Sequence, residues 1–151
     1  MTAEDVYIDP SALARLYIHQ EGSRELALWR AKHRKPLIVT HHGRTEIINA
    51  ICRTAFLGQL DLNGLTETLA DFHSDFATGH LHQADILWRA ALNRAAELSQ
   101  RFTPTLGTRT LDVLHVACAQ ELKLTQFLTF DTRQTQLAVA VGLKVVRLPC
   151  G

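Results

Sequence analysis

Short apolar runs alternate along the chain with longer segments in which apolar residues recur at helical spacing. A short continuous apolar run predicts a strand that is buried on both faces. Four such runs predict strands at residues 6–8, 36–40, 126–129 and 144–148. A shorter alternating segment, residues 80–82, predicts an edge strand.

Between these strands, apolar residues recur every three or four positions, which is the spacing of one face of an α-helix. The longest stripe predicts a helix at residues 84–102. Ser23 and Thr110 are expected to cap the helices that follow them, and Asp131 or Thr132 is expected to begin the last helix. The other predicted helices span residues 10–19, 24–32, 44–57, 65–76, 111–122 and 132–140.

The alternation of strands and helices predicts a parallel sheet that is covered by helices on both faces, because helical crossovers join parallel strands. The 151 residues suffice for one domain with a substantial core and are too few for two ordinary domains. Residues 1–151 are therefore interpreted as a single domain. In folds of this class, ligands bind beyond the carboxyl ends of the strands.

Composition narrows the kind of protein but not its chemistry. The net charge of +1 gives no global basic field, so a polyanionic partner has to be held by a local site. The three widely spaced cysteines do not suggest a disulfide framework or a zinc cluster, which favours a reducing cytoplasm. The sequence shows neither a signal segment nor an apolar run of about 20 residues, so we expect a soluble cytoplasmic protein without a membrane partner.

Four carboxylates fall at the predicted carboxyl edge of the sheet. Asp9 and Asp131 follow apolar strands, whereas Glu46 and Asp112 lie in the first turns of helices. Each has an ordinary alternative: the first two as helix caps, Glu46 as a solvated charge, and Asp112 as a partner of the helix dipole. Because all four fall at one edge, we favour a shared site.

Converging carboxylates repel one another and raise one another's pKa unless a cation neutralises them. Oxygen ligands of this kind suit Mg²⁺ or Mn²⁺. A divalent ion held by acids at a sheet edge indicates phosphate chemistry, in which the ion activates water and offsets the charge that develops on phosphorus.

Four stretches of the chain, taken together, resemble the PIN domain family. They are VYIDPSALARLY, THHGRTEIINA, RTLDVLHVACAQEL and FLTFDTRQTQLAVAVGLKV, in this order, and the likeness is strongest to the VapC toxin ribonucleases of bacterial VapBC toxin–antitoxin pairs. The resemblance covers nearly the whole chain. It implies a three-layer α/β/α fold with a central, mainly parallel sheet.

The resemblance also implies a function and a set of site residues. It implies a Mg²⁺- or Mn²⁺-dependent ribonuclease whose metal-binding and catalytic acids are Asp9, Glu46, Asp112 and Asp131. A hydroxyl residue near such a site would correspond to Ser11 or Thr129. A homodimer and a small antitoxin that blocks the site are the implied partners besides RNA.

Several basic residues have open roles. Arg109 and Arg133 flank two of the acids and are candidates for contacts with RNA or with an antitoxin, or are ordinary surface charges. His115 lies three residues after Asp112 and is either a packed structural residue or a contact to phosphate or to a carboxylate. His41 and His42 are interpreted as a loop pair, with metal or phosphate binding as the alternative.

Two rival functions remain. Another Mg²⁺-dependent phosphohydrolase, such as a haloacid-dehalogenase-like phosphatase, would need a second aspartate two residues after Asp9, where this chain has Ser11. A non-catalytic PIN-like module that binds RNA or protein would be favoured by loss of one of the four acids. All four are present, so we expect an active enzyme.

Overall fold

The computed structural model describes residues 1–149. Within them, five parallel strands form one sheet in the order β3-β2-β1-β4-β5. The strands are β1 Val6–Ile8, β2 Leu37–Thr40, β3 Leu81–Ala84, β4 Gln126–Leu128 and β5 Lys144–Val145. Because every pairing is parallel, all carboxyl ends lie at the same edge, with the end of β1 at the centre.

Seven α-helices connect these strands within the described residues. They are α1 Pro10–Leu13, α2 Ser23–Lys32, α3 His41–Phe56, α4 Leu62–Ala77, α5 Trp88–Leu106, α6 Thr110–Glu121 and α7 Thr132–Ala140, with a single 3₁₀ turn at Ala14–Leu16. In this part of the chain, no helix is long and apolar enough to cross a membrane.

Two hydrophobic clusters lie on opposite faces of the sheet. Tyr7 of β1 packs with α5, α6 and α7 on one face, whereas its neighbours Val6 and Ile8 pack with α1 to α4 on the other. The alternation follows from the two-residue period of a strand, and all three residues are at most 1% exposed. The predicted three-layer α/β/α fold is confirmed, and the described sheet is parallel throughout.

The prediction for residues 84–102 is wrong at both ends. Ala84 is the last residue of β3 and pairs with Thr40, so the helix begins only at Trp88. The helix then continues past Pro104 to Leu106. A proline so close to the end of a helix removes one backbone hydrogen bond without ending the helix earlier.

Several other observed boundaries differ from the predicted ones, and helix capping explains those at the starts of helices. Helix α3 begins at His41 and not at residue 44, because the Thr40 hydroxyl accepts a 3.0 Å hydrogen bond from the Gly43 N–H. Ser23 and Thr110 are first helical residues, and the N-caps are Gly22 and Arg109. The first helix stops at Leu13 before the 3₁₀ turn, and the last strand has two residues in place of five.

Gly22 links the start of α2 to the loop that carries Asp131. Its φ is +88°, and a Cβ added there would lie 2.5 Å from Cε1 of Phe130. The Phe130 ring also packs under the Arg15 guanidinium, 4.1 Å from the ring centroid. A side chain at position 22 would therefore disturb the loop beside the predicted acids.

We predict that Gly22→Ala lowers the free energy of unfolding by about 2–4 kcal/mol, since it adds a clash to the cost of a left-handed backbone. Gly58→Ala is the matched control, because Gly58 also has a positive φ of +77° but no atom within 4 Å of the added Cβ. The control should lower the free energy of unfolding by only about 1 kcal/mol, which is the cost of the left-handed backbone alone. Urea denaturation measures both, and equal losses would contradict the clash.

Candidate active site

Asp9 is fixed at the central point of the carboxyl edge. Its backbone N–H donates to Leu128 O at 3.0 Å, which extends the pairing of β1 with β4 by one residue. One carboxylate oxygen accepts hydrogen bonds from the backbone N–H and the hydroxyl of Ser11, so Asp9 also caps α1. The other oxygen accepts from Gln134 Nε2 at 3.0 Å. The side chain is 3% exposed, so its position is tightly determined.

Gln134 is a site residue that the sequence reasoning missed. It is fully buried in the first turn of α7, and its amide NH₂ donates to both Asp9 Oδ1 and the backbone oxygen of Asp112, at 3.0 and 3.1 Å. Its amide oxygen accepts from the Thr129 hydroxyl. One side chain thus connects β1, α6 and the loop after β4.

A local signal for Gln134 was present in the sequence. Asp131 is the N-cap of α7, and its Oδ1 accepts a 2.7 Å hydrogen bond from the Gln134 N–H. A capping residue followed three positions later by Gln or Glu is a recognised pattern for the start of a helix. The pattern predicts the cap, but it does not predict that the glutamine side chain turns inward.

Thr129 and Asp131 lie side by side at the end of β4. The Thr129 hydroxyl is buried and accepts a 3.0 Å hydrogen bond from the Asp131 N–H while it donates to Gln134. The carboxylate of Asp131 is exposed. Both hydroxyl residues named from the resemblance therefore contact an aspartate directly, Ser11 at the Asp9 carboxylate and Thr129 at the Asp131 N–H.

Asp112 shares an electrostatic environment with the other two aspartates. Burial raises the pKa of Asp112, and the charges of Asp9 and Asp131 raise it further, while those of His115 and Arg109 oppose the shift. The contribution of Asp9 and Asp131, which is smaller than that of burial, is the repulsion expected between neighbouring carboxylates. Asp9, Asp112 and Asp131 are called the aspartate set below.

Glu46 is held by histidines. Its Oε1 lies 2.7 Å from His115 Nε2 and 2.9 Å from His42 Nε2. His115 is 1% exposed, and its Nδ1 lies 2.6 Å from the Tyr7 hydroxyl. His42 belongs to the first turn of α3, so the interpretation of a loop pair was wrong.

The potential metal ligands at this edge differ in type. Among residues 1–149, the group of three ligand atoms within 4.8 Å of one another is formed by His42, Glu46 and His115. The aspartate set offers only oxygen ligands, and its members are near enough to interact by charge. The predicted quartet of acids therefore divides into three aspartates and a glutamate that is paired with imidazoles.

The family model described as "PIN domain" matches residues 6–140. The chain belongs to the PIN domain family. PIN domains are generally nucleases, and the match includes all four predicted acids. No curated protein matches the sequence significantly.

Two solved structures resemble this PIN domain over nearly its whole length. PAE2754 from Pyrobaculum aerophilum is 20% identical, with a TM-score of 0.57, and the match covers 95% of this chain and 90% of that one. FitAcB from Neisseria gonorrhoeae is 16% identical, with a TM-score of 0.58 and coverage of 94% and 96%. At these identities the likeness supports the fold alone.

Two arginines of the PIN domain, Arg15 and Arg109, interact by charge with the aspartate set, and a third, Arg133, follows Asp131 by two residues in the chain. Arg109 acts on Asp112 by charge, and Arg133 Nη1 donates to Gly107 O at 3.3 Å. Arg15, which the sequence reasoning did not select, donates to Ser11 O at 2.6 Å and lines an open cleft of about 430 Å³ that also contains Asp131. The positive charges of these arginines lie near the predicted site, although the net charge of the whole chain is close to zero.

We predict that Gln134→Ala lowers the free energy of unfolding by about 2–3 kcal/mol, because it leaves buried partners of the amide unsatisfied. Gln136→Ala, at an exposed position of the same helix, is the control and should change stability by less than about 0.5 kcal/mol. Chemical denaturation measures both. Equal effects of the two substitutions would show that the buried amide bonds carry no net stability.

The raised pKa of Asp112 predicts a pH-dependent effect of Asp112→Asn. Because the folded pKa exceeds the unfolded value of 3.8, ionisation of Asp112 favours the unfolded state. The wild-type protein should lose stability relative to the variant as pH rises from below 3.8 through the raised pKa.

Asp112 is half-exposed, so solvent screens its charge. We therefore expect a stability difference of about 0.5 kcal/mol between the wild-type protein and Asp112→Asn at neutral pH. Denaturation in EDTA at acid and neutral pH measures it, and Asp71→Asn, at an exposed position of α4, is the control. A relative gain of wild-type stability with rising pH would contradict the repulsion.

Proposed function

We propose that residues 1–151 form a single-domain, divalent-metal-dependent endoribonuclease that hydrolyses RNA phosphodiester bonds in the cytoplasm. The observation that carries the proposal is that Gln134 holds Asp9 and the backbone of Asp112 together at the carboxyl edge of a PIN domain. At the same edge, Asp131 caps the helix that carries Gln134. Three carboxylates held together at a sheet edge offer an oxygen-rich site to a cation. The proposed reaction adds water across a P–O bond, with the 3′-oxygen as the leaving group.

The donor chemistry fits Mg²⁺ or Mn²⁺. Within residues 1–149, none of the ion pairs formed by Lys, Arg or His involves Asp9, Asp112 or Asp131. Their charge is therefore available to a divalent ion, and these residues would hold it, with Glu46 as the fourth acid of the proposed set. When bound, such an ion supplies a Lewis acid that lowers the pKa of water and offsets charge on the phosphate.

Neighbouring residues support this assignment because their hydrogen bonds fix the positions of Asp9 and Asp131. Ser11 and Gln134 hold the two oxygens of Asp9 in place without cancelling their charge, because both donors are neutral. Thr129 fixes the backbone of Asp131. Arg15, Arg109 and Arg133 are the proposed contacts to the RNA backbone, which they would bind as local cations.

The proposed biological setting is a VapC-type toxin with a small antitoxin as partner, and with a second copy of the chain in a homodimer. The supporting observation is an exposed apolar group at the junction of α3 and α4. Phe56, Leu57 and Leu62 are 87%, 56% and 77% exposed. Exposed apolar residues of this size are typical of surfaces that another protein covers.

We predict that Asp9→Ala and Asp112→Ala each lower RNA cleavage on the order of 100-fold or more, since each removes a charge of the proposed site. The assay is cleavage of a mixed pool of structured and single-stranded RNA with Mg²⁺ or Mn²⁺, and EDTA should abolish it. Asp71→Ala, at an exposed position on α4, is the control and should cleave at the wild-type rate.

Two results would contradict the proposal. Cleavage by both aspartate variants at the wild-type rate would show that the site lies elsewhere. No cleavage by folded, antitoxin-free protein with either ion would favour the alternative of a non-catalytic RNA- or protein-binding module.

A further inference from the structure

His42, Glu46 and His115 present two imidazole nitrogens and a carboxylate oxygen to one point. His42 and Glu46 are four residues apart on α3 and so share a face of the helix, and His115 approaches from α6. All three ligand atoms lie within 4.8 Å of one another. Two ligands at this helical spacing with a third from another element is a common arrangement in zinc sites.

His115 is held in the orientation that a metal ligand needs. Its Nδ1 lies 2.6 Å from the hydroxyl of Tyr7, which is 1% exposed. In an ion-bound form, Nδ1–H would donate to the Tyr7 oxygen, and Nε2, which now contacts Glu46 Oε1 at 2.7 Å, would bind the ion. Metal-binding histidines usually have such an outer hydrogen bond, which fixes the tautomer and the ring orientation.

His42 has a polar atom without a hydrogen-bond partner. Its Nε2 is buried and makes no hydrogen bond, although it lies 2.9 Å from Glu46 Oε1. The separation is that of an ion pair, but the two groups are not aligned for a hydrogen bond. The His42 nitrogen therefore faces the Glu46 carboxylate without using its hydrogen-bonding capacity, and an ion placed between the two atoms would bind both. The His42 ring itself is packed edge-on against Trp88, with 6.2 Å between ring centroids.

We propose that His42, Glu46 and His115 bind a borderline transition ion of the Zn²⁺ and Co²⁺ class at a site beside the aspartate set, which shares Glu46 with the proposed set of four acids. Imidazole nitrogen favours such ions over Mg²⁺, whereas oxygen-only ligands favour Mg²⁺. Three protein ligands leave a fourth position open, as in catalytic zinc sites. This inference concerns ion binding and does not rest on the proposed ribonuclease activity.

The ligand spacing needs only a small adjustment. Tetrahedral bonds of about 2.0 Å place ligand atoms roughly 3.3 Å apart. Glu46 Oε1 lies 2.7 Å from His115 Nε2 and 2.9 Å from His42 Nε2. The glutamate side chain is 29% exposed, which leaves it room to move. An ion bound there would draw Glu46 toward the two histidines and away from the aspartate set.

Titration of metal-free protein with Co²⁺ tests the proposal, because tetrahedral Co²⁺ absorbs strongly in the visible range. We expect one equivalent to give this absorption, and calorimetry to show Zn²⁺ binding that His42→Ala weakens by at least about 10-fold. His41→Ala is the matched control, because His41 is the adjacent residue but contacts Asp85 at 3.1 Å. It should bind Zn²⁺ as the wild-type protein does.

A second variant separates this site from the aspartate set. Asp112→Asn should weaken Mg²⁺ binding and leave the Co²⁺ absorption unchanged. Identical Zn²⁺ affinities for His42→Ala and His41→Ala, in protein shown by circular dichroism to be folded, would overturn the proposal. So would loss of the Co²⁺ absorption in Asp112→Asn, which would assign the ion to the aspartates.

Discussion

The amide of Gln134 is the interaction on which the arrangement of the carboxyl edge depends. It is buried, and it joins Asp9, the first turn of α6 and Thr129. An arginine or lysine in its place would also hold the Asp9 carboxylate, but it would neutralise the charge that a divalent ion needs. A neutral donor fixes the carboxylate and preserves its charge, so the site keeps both its geometry and its attraction for cations.

The parts of the fold that follow from local pattern were predictable. The central strands β1, β2 and β4 are short apolar runs, and the parallel pairing that such runs predict brings the acids after β1 and β4 to one edge. The end of β3 was not predictable in this way. Ala84 fits the helical stripe of α5 equally well, and only its pairing with Thr40 across the sheet decides its conformation.

The start of α3 differs from the prediction, and this difference affects the position of His42 relative to Glu46. A helix that begins at residue 44, as the sequence predicts, leaves His42 in a loop and off the face that carries Glu46. The Thr40 cap moves the start of the helix to His41 and places His42 and Glu46 one turn apart. The inward turn of Gln134 was hidden for a different reason, because its partners Asp9 and Asp112 are distant in the sequence and only the tertiary fold brings them near.

The distance along the chain between Asp9 and Gln134 has a consequence for biosynthesis. The two residues are 125 positions apart, and β1 needs β4 as its neighbour in the sheet. A nascent chain that has not yet produced α7 cannot hold Asp9 as the finished protein does. The edge that carries the aspartates is therefore completed only after α7 has been synthesised, and a fragment that ends before α7 lacks an assembled site.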